Sequence, residues 1–119
     1  MKRLMAACAL LFVAAASSPA LAQSRLDFRL VNQTGFVIVE LYVSPTNAKS
    51  WEEDILGEDV LPHNRAVDIR FSRSEKSCTW DMKIVDEDGD EVEWTNLDLC
   101  EASEVTLRYE RGTPTALID

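Results

Sequence analysis

Alternating apolar and polar residues predict a series of short β-strands along most of the chain. Leu26, Phe28 and Leu30 alternate with Asp27 and Arg29, the period-two pattern of a strand that buries one face. The same alternation recurs in four later segments: 67–71, 78–84, 92–94 and 105–109. Residues 36–43 are almost continuously apolar and β-branched, which is typical of a central strand covered on both faces.

Turn-forming residues separate these segments. The turn at 32–35 ends in Gly35 and predicts that the first two strands form a hairpin, and Asp88-Gly89 predicts the tip of another hairpin. Residues 50–56 predict a helical turn or two, capped by Ser50 and ended by Gly57. Residues 111–119 carry no clear strand pattern and predict a flexible tail.

Together these elements predict an all-β fold. Several short strands without a long amphipathic helix are typical of a small antiparallel β-sandwich or barrel, here with one short helical turn in a connection. Trp80 and Trp94 fall on the inward faces of neighbouring strands and are expected in the core. We expect a single β domain over residues 23–110, followed by the tail.

The first 22 residues have the organisation of a secretory signal peptide. Lys2 and Arg3 precede an apolar run at residues 4–16, and Ala20-Leu21-Ala22 supplies a small-residue cleavage site. The run is too short to span a bilayer. A lipid anchor on Cys8 is the less favoured alternative, because most of the apolar run follows that cysteine. We therefore expect a periplasmic or secreted protein that starts at Gln23 and has no membrane span.

The charge balance restricts the class of partner. The chain has a net charge of −9, and without its first 22 residues it has 10 basic against 21 acidic residues, a net charge of −11. Such acidity disfavours nucleic acid and anionic membrane surfaces and favours a cation or a basic protein. Acidity that only keeps an exported protein soluble is the alternative.

Two cysteines remain after the signal peptide. In an oxidising compartment an even number of cysteines predicts a disulfide, and we expect Cys78 to pair with Cys100. A zinc site would need four ligands, and the chain has a single histidine. The spacing also differs from the C-x-x-C arrangement of redox pairs.

The densest group of carboxylates lies at residues 86–93. Asp86, Asp88 and Asp90 alternate around the predicted hairpin tip and could supply oxygen ligands to calcium, although their spacing differs from that of an EF-hand. The alternative is a hairpin tip whose carboxylates are only solvated. Calcium is the one cofactor that the sequence suggests.

A second acidic segment, residues 51–54, contains a tryptophan outside any strand pattern. Such a residue either fastens the connection to the sandwich or is an exposed anchor for a partner. The residues of this candidate partner-binding segment are Trp51, Glu52, Glu53 and Asp54.

No catalytic motif accompanies these features. His63 follows Pro62 in a turn, and the sequence has neither a G-x-S-x-G motif nor a free thiol beside it in the exported chain. A hydrolase that uses paired carboxylates is a third alternative, but a domain of this size has little room for a deep substrate cleft. We therefore expect a protein that is not an enzyme.

A set of short motifs resembles a family of small, largely uncharacterised exported β-sandwich proteins from Gram-negative bacteria. The motifs are Asn32-x-Thr34-Gly35, Leu41-Tyr42-Val43-Ser44-Pro45, Trp51 with Asp54-x-Leu56-Gly57, Cys78-x-Trp80-Asp81 and Leu97-x-Leu99-Cys100. They cover nearly all of the chain after the signal peptide. The chain departs from the pattern at His63-Asn64, where a glycine is expected. The resemblance implies a periplasmic or secreted location and transfers no catalytic residue.

Three expectations about function follow. The first is a non-enzymatic binding module of the cell envelope. Its partner is a protein or another envelope component, and the acidity of the chain favours a basic one. The second is a calcium-binding structural or sensing domain. The third is an acidic inhibitor or immunity protein that blocks a basic enzyme, by analogy with periplasmic lysozyme inhibitors. The sequence gives no indication of the oligomeric state.

Overall fold

Residues 24–119 are described by the computed structural model and form seven strands and one short 3-10 turn. The predicted signal peptide lies outside the described residues. The elements are β1 (Phe28–Gln33), β2 (Ile38–Pro45), β3 (Ala66–Ile69), β4 (Thr79–Asp86), β5 (Glu91–Asp98), the 3-10 turn (Leu99–Glu101), β6 (Glu104–Glu110) and β7 (Thr113–Ile118). The all-β prediction is confirmed.

The strands form two sheets. One sheet has the order β3-β1-β6-β7 and the other has the order β2-β4-β5. The pairings are antiparallel except that of β1 with β6, which is parallel and places Arg29 opposite Glu104. The prediction of a wholly antiparallel fold therefore misses one pairing, because alternation along a strand carries no information about the direction of its neighbour.

The predicted hairpin of the first two strands is wrong. β1 and β2 belong to different sheets, and the turn between them carries the chain from one sheet to the other. The Asn32 side chain stabilises this turn, since its Oδ1 accepts the backbone N–H of Thr34 at 2.9 Å and its hydroxyl at 2.7 Å. An Asx turn of this kind bends the chain before strand pairing can continue.

The carboxamide of Asn32 is completely buried, and all of its hydrogen-bonding groups have partners. Besides the two bonds from Thr34, its Nδ2 donates to the carbonyl oxygens of Phe36 at 2.8 Å and Leu61 at 2.9 Å. One side chain thus joins the end of β1 to the start of β2 and to the connection before β3. A buried amide is stable only when its polar groups are satisfied, as they are here.

The predicted helical turn at residues 50–56 is also wrong. Residues 51–54 have no regular secondary structure, and a turn follows at residues 55–58. The backbone at the start of this turn bonds to β2, since the Ile55 N–H donates to the Leu41 carbonyl at 2.8 Å. The 3-10 turn of the fold lies elsewhere, at Leu99–Glu101.

The predicted flexible tail is a strand. β7 pairs with β6 along its whole length, from Thr113 opposite Glu110 to Ile118 opposite Val105. Arg111 and Gly112 connect the two strands with φ of +54° and +79°, as the two-residue type I′ turn of a hairpin requires. The β domain therefore extends to residue 118.

The core lies between the two sheets. Trp80 and Trp94 are 3% and 4% exposed, as predicted, and their indole N–H groups donate to the carbonyls of Ser77 and Thr115. The other buried apolar side chains come from both sheets and from the connections: Leu26, Phe28, Leu30, Ile38, Leu41, Leu56, Leu61, Ile69, Met82, Ile84, Leu97, Leu99, Ala102, Val105 and Leu107.

The predicted disulfide between Cys78 and Cys100 is present. It links the chain just before β4 to the 3-10 turn, and the Cα atoms are 5.0 Å apart. The Leu99 N–H donates to the Cys78 carbonyl at 2.8 Å beside it. Within residues 24–119, no helix is long and apolar enough to cross a membrane.

Candidate functional site

Asp54 fixes the connection between β2 and β3 against the edge of the three-stranded sheet. Its Oδ1 accepts the backbone N–H groups of Leu41 at 2.9 Å and Leu56 at 3.0 Å. The buried Leu56 side chain holds the same connection to the core. Asp54 therefore has a structural role in the described fold, whereas the sequence placed it with the residues expected to bind a partner.

Trp51 packs on the three-stranded sheet. Its ring lies 6.5 Å from that of Tyr42, and the Lys83 Nζ is 4.8 Å from the Tyr42 centroid and 5.5 Å from the Trp51 centroid. An ammonium at these distances is attracted to both aromatic faces. The contacts fasten the connection to β2 and β4, and Trp51 stays half-buried.

The pKa of Tyr42, which packs against Trp51 and Lys83, is raised. Its hydroxyl donates to Glu40, and this bond, with partial desolvation and nearby carboxylates, raises the pKa of Tyr42 to about 12 from an ordinary 10.0. The protonated phenol is thus favoured by folding. Its stabilising contribution is complete below pH 10.0 and is lost as the pH rises through about 12.

We expect Glu40→Gln to move the Tyr42 titration back towards pH 10.0. Tyrosinate absorbance in the near ultraviolet, followed as a function of pH, measures the shift. The chain has two tyrosines, so the difference between the parent and its Tyr42→Phe variant isolates the Tyr42 transition. Identical titrations with and without Glu40 would contradict the hydrogen bond as the main cause.

A groove of about 560 Å³ opens between the end of β2 with its following connection and the segment after β3. We call it the β2–β3 groove. Its apolar residues are Val43, Pro45, Ala48, Ile55, Ile69, Phe71 and Trp80, and its polar residues are Glu52, Glu53, Arg70, Ser72 and Glu75. Of the four residues predicted to bind a partner, Glu52 and Glu53 line this groove.

Hydrogen bonds hold both walls of the groove. On one wall the Ala48 N–H donates to the Pro45 carbonyl at 2.9 Å. On the other, the Phe71 N–H donates to the Asp27 carboxylate at 2.7 Å, and the Phe71 ring meets Trp80 edge-on at 4.9 Å. A surface that is already ordered loses little conformational entropy when it binds.

The rim of the groove carries three carboxylates and one cation. Glu52, Glu53 and Glu75 are exposed, and one cation, Arg70, lines the same groove. Both salt bridges found within residues 24–119 are made by Arg29 of β1, with Asp68 and Glu104. Glu52 and Glu53 make no salt bridge with the described residues, whereas Glu75 shares a second surface pocket with Arg25, Arg73 and Lys76.

The acidic hairpin between β4 and β5 brings together the three aspartates predicted to bind calcium. A carboxylate oxygen from each of Asp86, Asp88 and Asp90 lies within 4.8 Å of the others. However, Asp86 is buried, and its Oδ1 accepts the backbone N–H groups of Asp88 at 2.9 Å and Asp90 at 3.0 Å. These bonds shape the turn and account for the cluster, so calcium binding stays a prediction.

We expect Asp86→Ala to lower the free energy of unfolding by about 2 kcal/mol, because the backbone N–H groups of Asp88 and Asp90 lose a charged acceptor. Asp88→Asn combined with Asp90→Asn changes only exposed carboxylates and should cost under about 0.5 kcal/mol. Chemical denaturation measures both. Melting in millimolar calcium and in chelator tests the ion itself: a calcium-dependent rise that the double variant abolishes would establish the site.

His63 has a structural partner. Its Nδ1 accepts the Gly35 N–H at 3.0 Å and so ties the connection before β3 to the turn after β1. Asn64 beside it has a φ of +69°, a conformation that asparagine tolerates better than most residues. This explains how the turn forms without the glycine expected from the family resemblance.

Sequence reasoning missed the second wall of the groove. Phe71 was expected in the third strand and Trp80 in the core, but nothing in their local pattern indicated that they face a groove with Ile55. Ile55 is 44% exposed.

Comparison with known proteins gives information about the fold and not about the function. No family model matches the chain, and no curated protein does. Among solved structures, an NMR structure of a protein from Eubacterium rectale is similar, with a TM-score of 0.51 and 17% sequence identity over 77% of this chain and 85% of that one. The likeness supports the two-sheet architecture and gives no information about a ligand.

Proposed function

We propose that the protein is a non-enzymatic binding module exported to the cell envelope, where it binds a protein or another envelope component through the β2–β3 groove. The observation that carries this proposal is the groove itself. Its floor is apolar, its rim carries Glu52, Glu53, Glu75 and Arg70, and the folded chain leaves it open. Open apolar surface with a polar rim is typical of binding sites.

Export is part of the proposal. The Cys78–Cys100 disulfide and the lack of a membrane-spanning helix within residues 24–119 are compatible with a periplasmic or secreted protein. The sequence pattern of residues 1–22 supplies the signal.

The arrangement of side chains also supports a role other than catalysis. The single histidine uses Nδ1 to accept a backbone N–H, and Asp54 and Asp86 each accept two backbone N–H groups. These groups stabilise turns and connections of the fold. Binding requires only the groove and its charges.

An inhibitor or immunity protein against a basic enzyme is a specific form of this proposal. The net charge of −9 favours it, because opposite charge accelerates association with a basic surface. Lysozyme activity measured with excess protein tests this form. Unchanged activity over a range of lysozymes and ionic strengths would exclude it and leave the binding module standing.

Affinity capture from envelope extracts tests the proposal, with two variants matched for exposure. Ile55 lines the groove and is 44% exposed, whereas Leu117 is 46% exposed and lies outside it on β7. We expect Ile55→Ser to reduce capture of the partner and Leu117→Ser to leave it unchanged. Equal capture by both variants, or no capture above background, would contradict the proposal.

A further inference from the structure

We infer that a small pocket on the outer face of the three-stranded sheet binds the ring of a neutral saccharide. The inference goes beyond the proposed function, because this pocket is formed mainly by other residues than the β2–β3 groove. The two share Pro45 and Ala48 of the connection after β2. We call the new site the Ser44–Asp81 pocket, after the two strand residues that line it.

The position of the pocket follows from the strand register. Ser44 on β2 lies opposite Asp81 on β4, so their side chains share one face of the sheet. Val43 and Trp80, their neighbours along the two strands, pack in the core. Because successive side chains on a strand point to opposite faces, Ser44 and Asp81 face away from the core.

The size of the pocket matches one six-membered ring. Residues 48–51 of the connection close over the two strands and leave a space of about 140 Å³. A protein cavity of about 150 Å³ is known to hold a benzene ring. A single sugar ring therefore fits, whereas the rest of a longer glycan would lie outside the pocket.

Asp81 offers one carboxylate oxygen to a ligand. Its Oδ1 accepts the Thr46 hydroxyl and the Asn96 N–H, both at 2.9 Å, and these bonds fix the carboxylate. Its Oδ2 forms no hydrogen bond or salt bridge within residues 24–119. An ordered carboxylate oxygen with free lone pairs is a strong acceptor for a ligand hydroxyl.

Ser44 supplies a second polar group, which is buried and weakly bonded. The residue is 4% exposed, and its hydroxyl donates to the Ser50 carbonyl at 3.4 Å. Hydrogen bonds between oxygens are usually about 2.7–2.8 Å long. A buried hydroxyl with so long a bond keeps much of its desolvation cost. A ligand hydroxyl in the pocket would give it a closer partner.

The charges at the pocket favour a neutral ligand that both donates and accepts hydrogen bonds. Lys49 and Asp81 line it with opposite charges. The Lys49 ammonium repels a metal cation and the Asp81 carboxylate repels an anion. A wholly apolar ring would leave the Asp81 oxygen without a partner. Ring hydroxyls satisfy both residues, because they can donate to Asp81 and accept from Lys49.

Trp51 supplies a flat apolar surface. It is half-buried and lines the pocket, and its ring is held 6.5 Å from that of Tyr42 and 5.5 Å from the Lys83 Nζ. The C–H groups of a sugar ring are apolar and can pack on an indole. Since Trp51 is already fixed, little conformational entropy is lost when a ring packs on it.

The test is a heteronuclear NMR titration of the oxidised protein with the methyl glycosides of glucose, galactose, mannose and N-acetylglucosamine in turn. We expect at least one glycoside to shift the backbone signals of Ser50 and Asp81 and the indole N–H signal of Trp51, with a dissociation constant of about 1 mM. Calcium, inorganic phosphate and glycine represent cations, anions and zwitterions. Each should bind at least about tenfold more weakly at this pocket.

Matched variants connect binding with the pocket. Asp81→Asn keeps one oxygen for its two backbone and side-chain donors but replaces the free oxygen by an amide, and should weaken glycoside binding about tenfold. Asp98→Asn is the control, because Asp98 also accepts a backbone N–H, from Cys100 at 3.1 Å, and lies outside the pocket. It should bind within about twofold of the parent. Ser44→Ala should bind a few times more weakly than the parent.

Three results would overturn the inference: no glycoside shifts the pocket signals, a comparison ligand binds there as tightly, or Asp81→Asn and Asp98→Asn bind the glycoside equally. Signals of residues far from the pocket report whether each variant is folded. If Asp81→Asn does not fold, Ser44→Ala decides, and binding equal to that of the parent would then contradict the inference.

Discussion

Asn32→Asp is expected to lower the free energy of unfolding by roughly 3–4 kcal/mol at neutral pH. The buried carboxamide donates to two carbonyls and accepts from Thr34. A carboxylate of the same shape keeps the acceptor but loses both donors, and it places a negative charge against the carbonyl oxygens of Phe36 and Leu61. Urea denaturation followed by tryptophan fluorescence measures the loss.

Asn47→Asp is the matched control for this change. Asn47 is exposed in the turn after β2, so the same chemical replacement should cost under about 0.5 kcal/mol. The loss in free energy of unfolding caused by Asn32→Asp should be smaller in acid, because a protonated carboxyl regains one hydrogen-bond donor. A stability within about 1 kcal/mol of the parent at neutral pH would show that the buried network contributes little.

Removal of the disulfide is expected to have the next largest effect. Cys78→Ala with Cys100→Ala should lower the free energy of unfolding by roughly 3 kcal/mol, because the unfolded chain is released from a closed loop. For a domain of this size the melting temperature should fall by roughly 15 °C. Both cysteines are half-buried, so the small alanine side chains add little cavity cost.

Thermal unfolding of the double variant, beside the parent with and without reductant, checks this prediction. The reduced parent should melt close to the double variant, because both lack the cross-link. If all three samples melt at the same temperature, the loop is already restricted in the unfolded chain and the disulfide has little effect on stability.

Local pattern predicted β1 and β4 well, because buried and less buried positions alternate along both strands. β2 was expected as a central strand covered on both faces, but it lies at the edge of the three-stranded sheet. The cysteine pair was predictable for a different reason, since the two cysteines after residue 22 allow one pairing. The first hairpin was not predictable in the same way. The crossing to the other sheet is stabilised by the Asn32 side chain, whose partner Leu61 is distant in sequence.

The last strand was missed because its signal is weak. β7 buries Pro114, Ala116 and Ile118 only in part, and its exposed positions include Leu117, so the contrast between its two faces is small. The turn before it was recognisable in principle. Gly112 follows Arg111, and a glycine at the second position of a two-residue connection favours a type I′ hairpin.

The candidate site was half predicted. The segment with Glu52 and Glu53 was identified from its charge, but its neighbour Asp54 bonds to the backbone of β2, and Trp51 packs on Tyr42. Side chains that are adjacent in sequence thus have different tasks. The opposite wall, with Phe71 and Glu75, could not be found without the tertiary fold, because the two walls come from different sheets.

The parallel pairing of β1 with β6 has a consequence for the order of folding. β1 lies near the start of the described chain, and its parallel neighbour begins only at Glu104. The four-stranded sheet therefore cannot be completed until almost the entire polypeptide has left the ribosome or crossed a membrane. Closing so long a loop is slow, and we expect folding over milliseconds to seconds. In a chain truncated before Glu104, β1 would retain β3 as its sole partner. The four-stranded sheet could then not form.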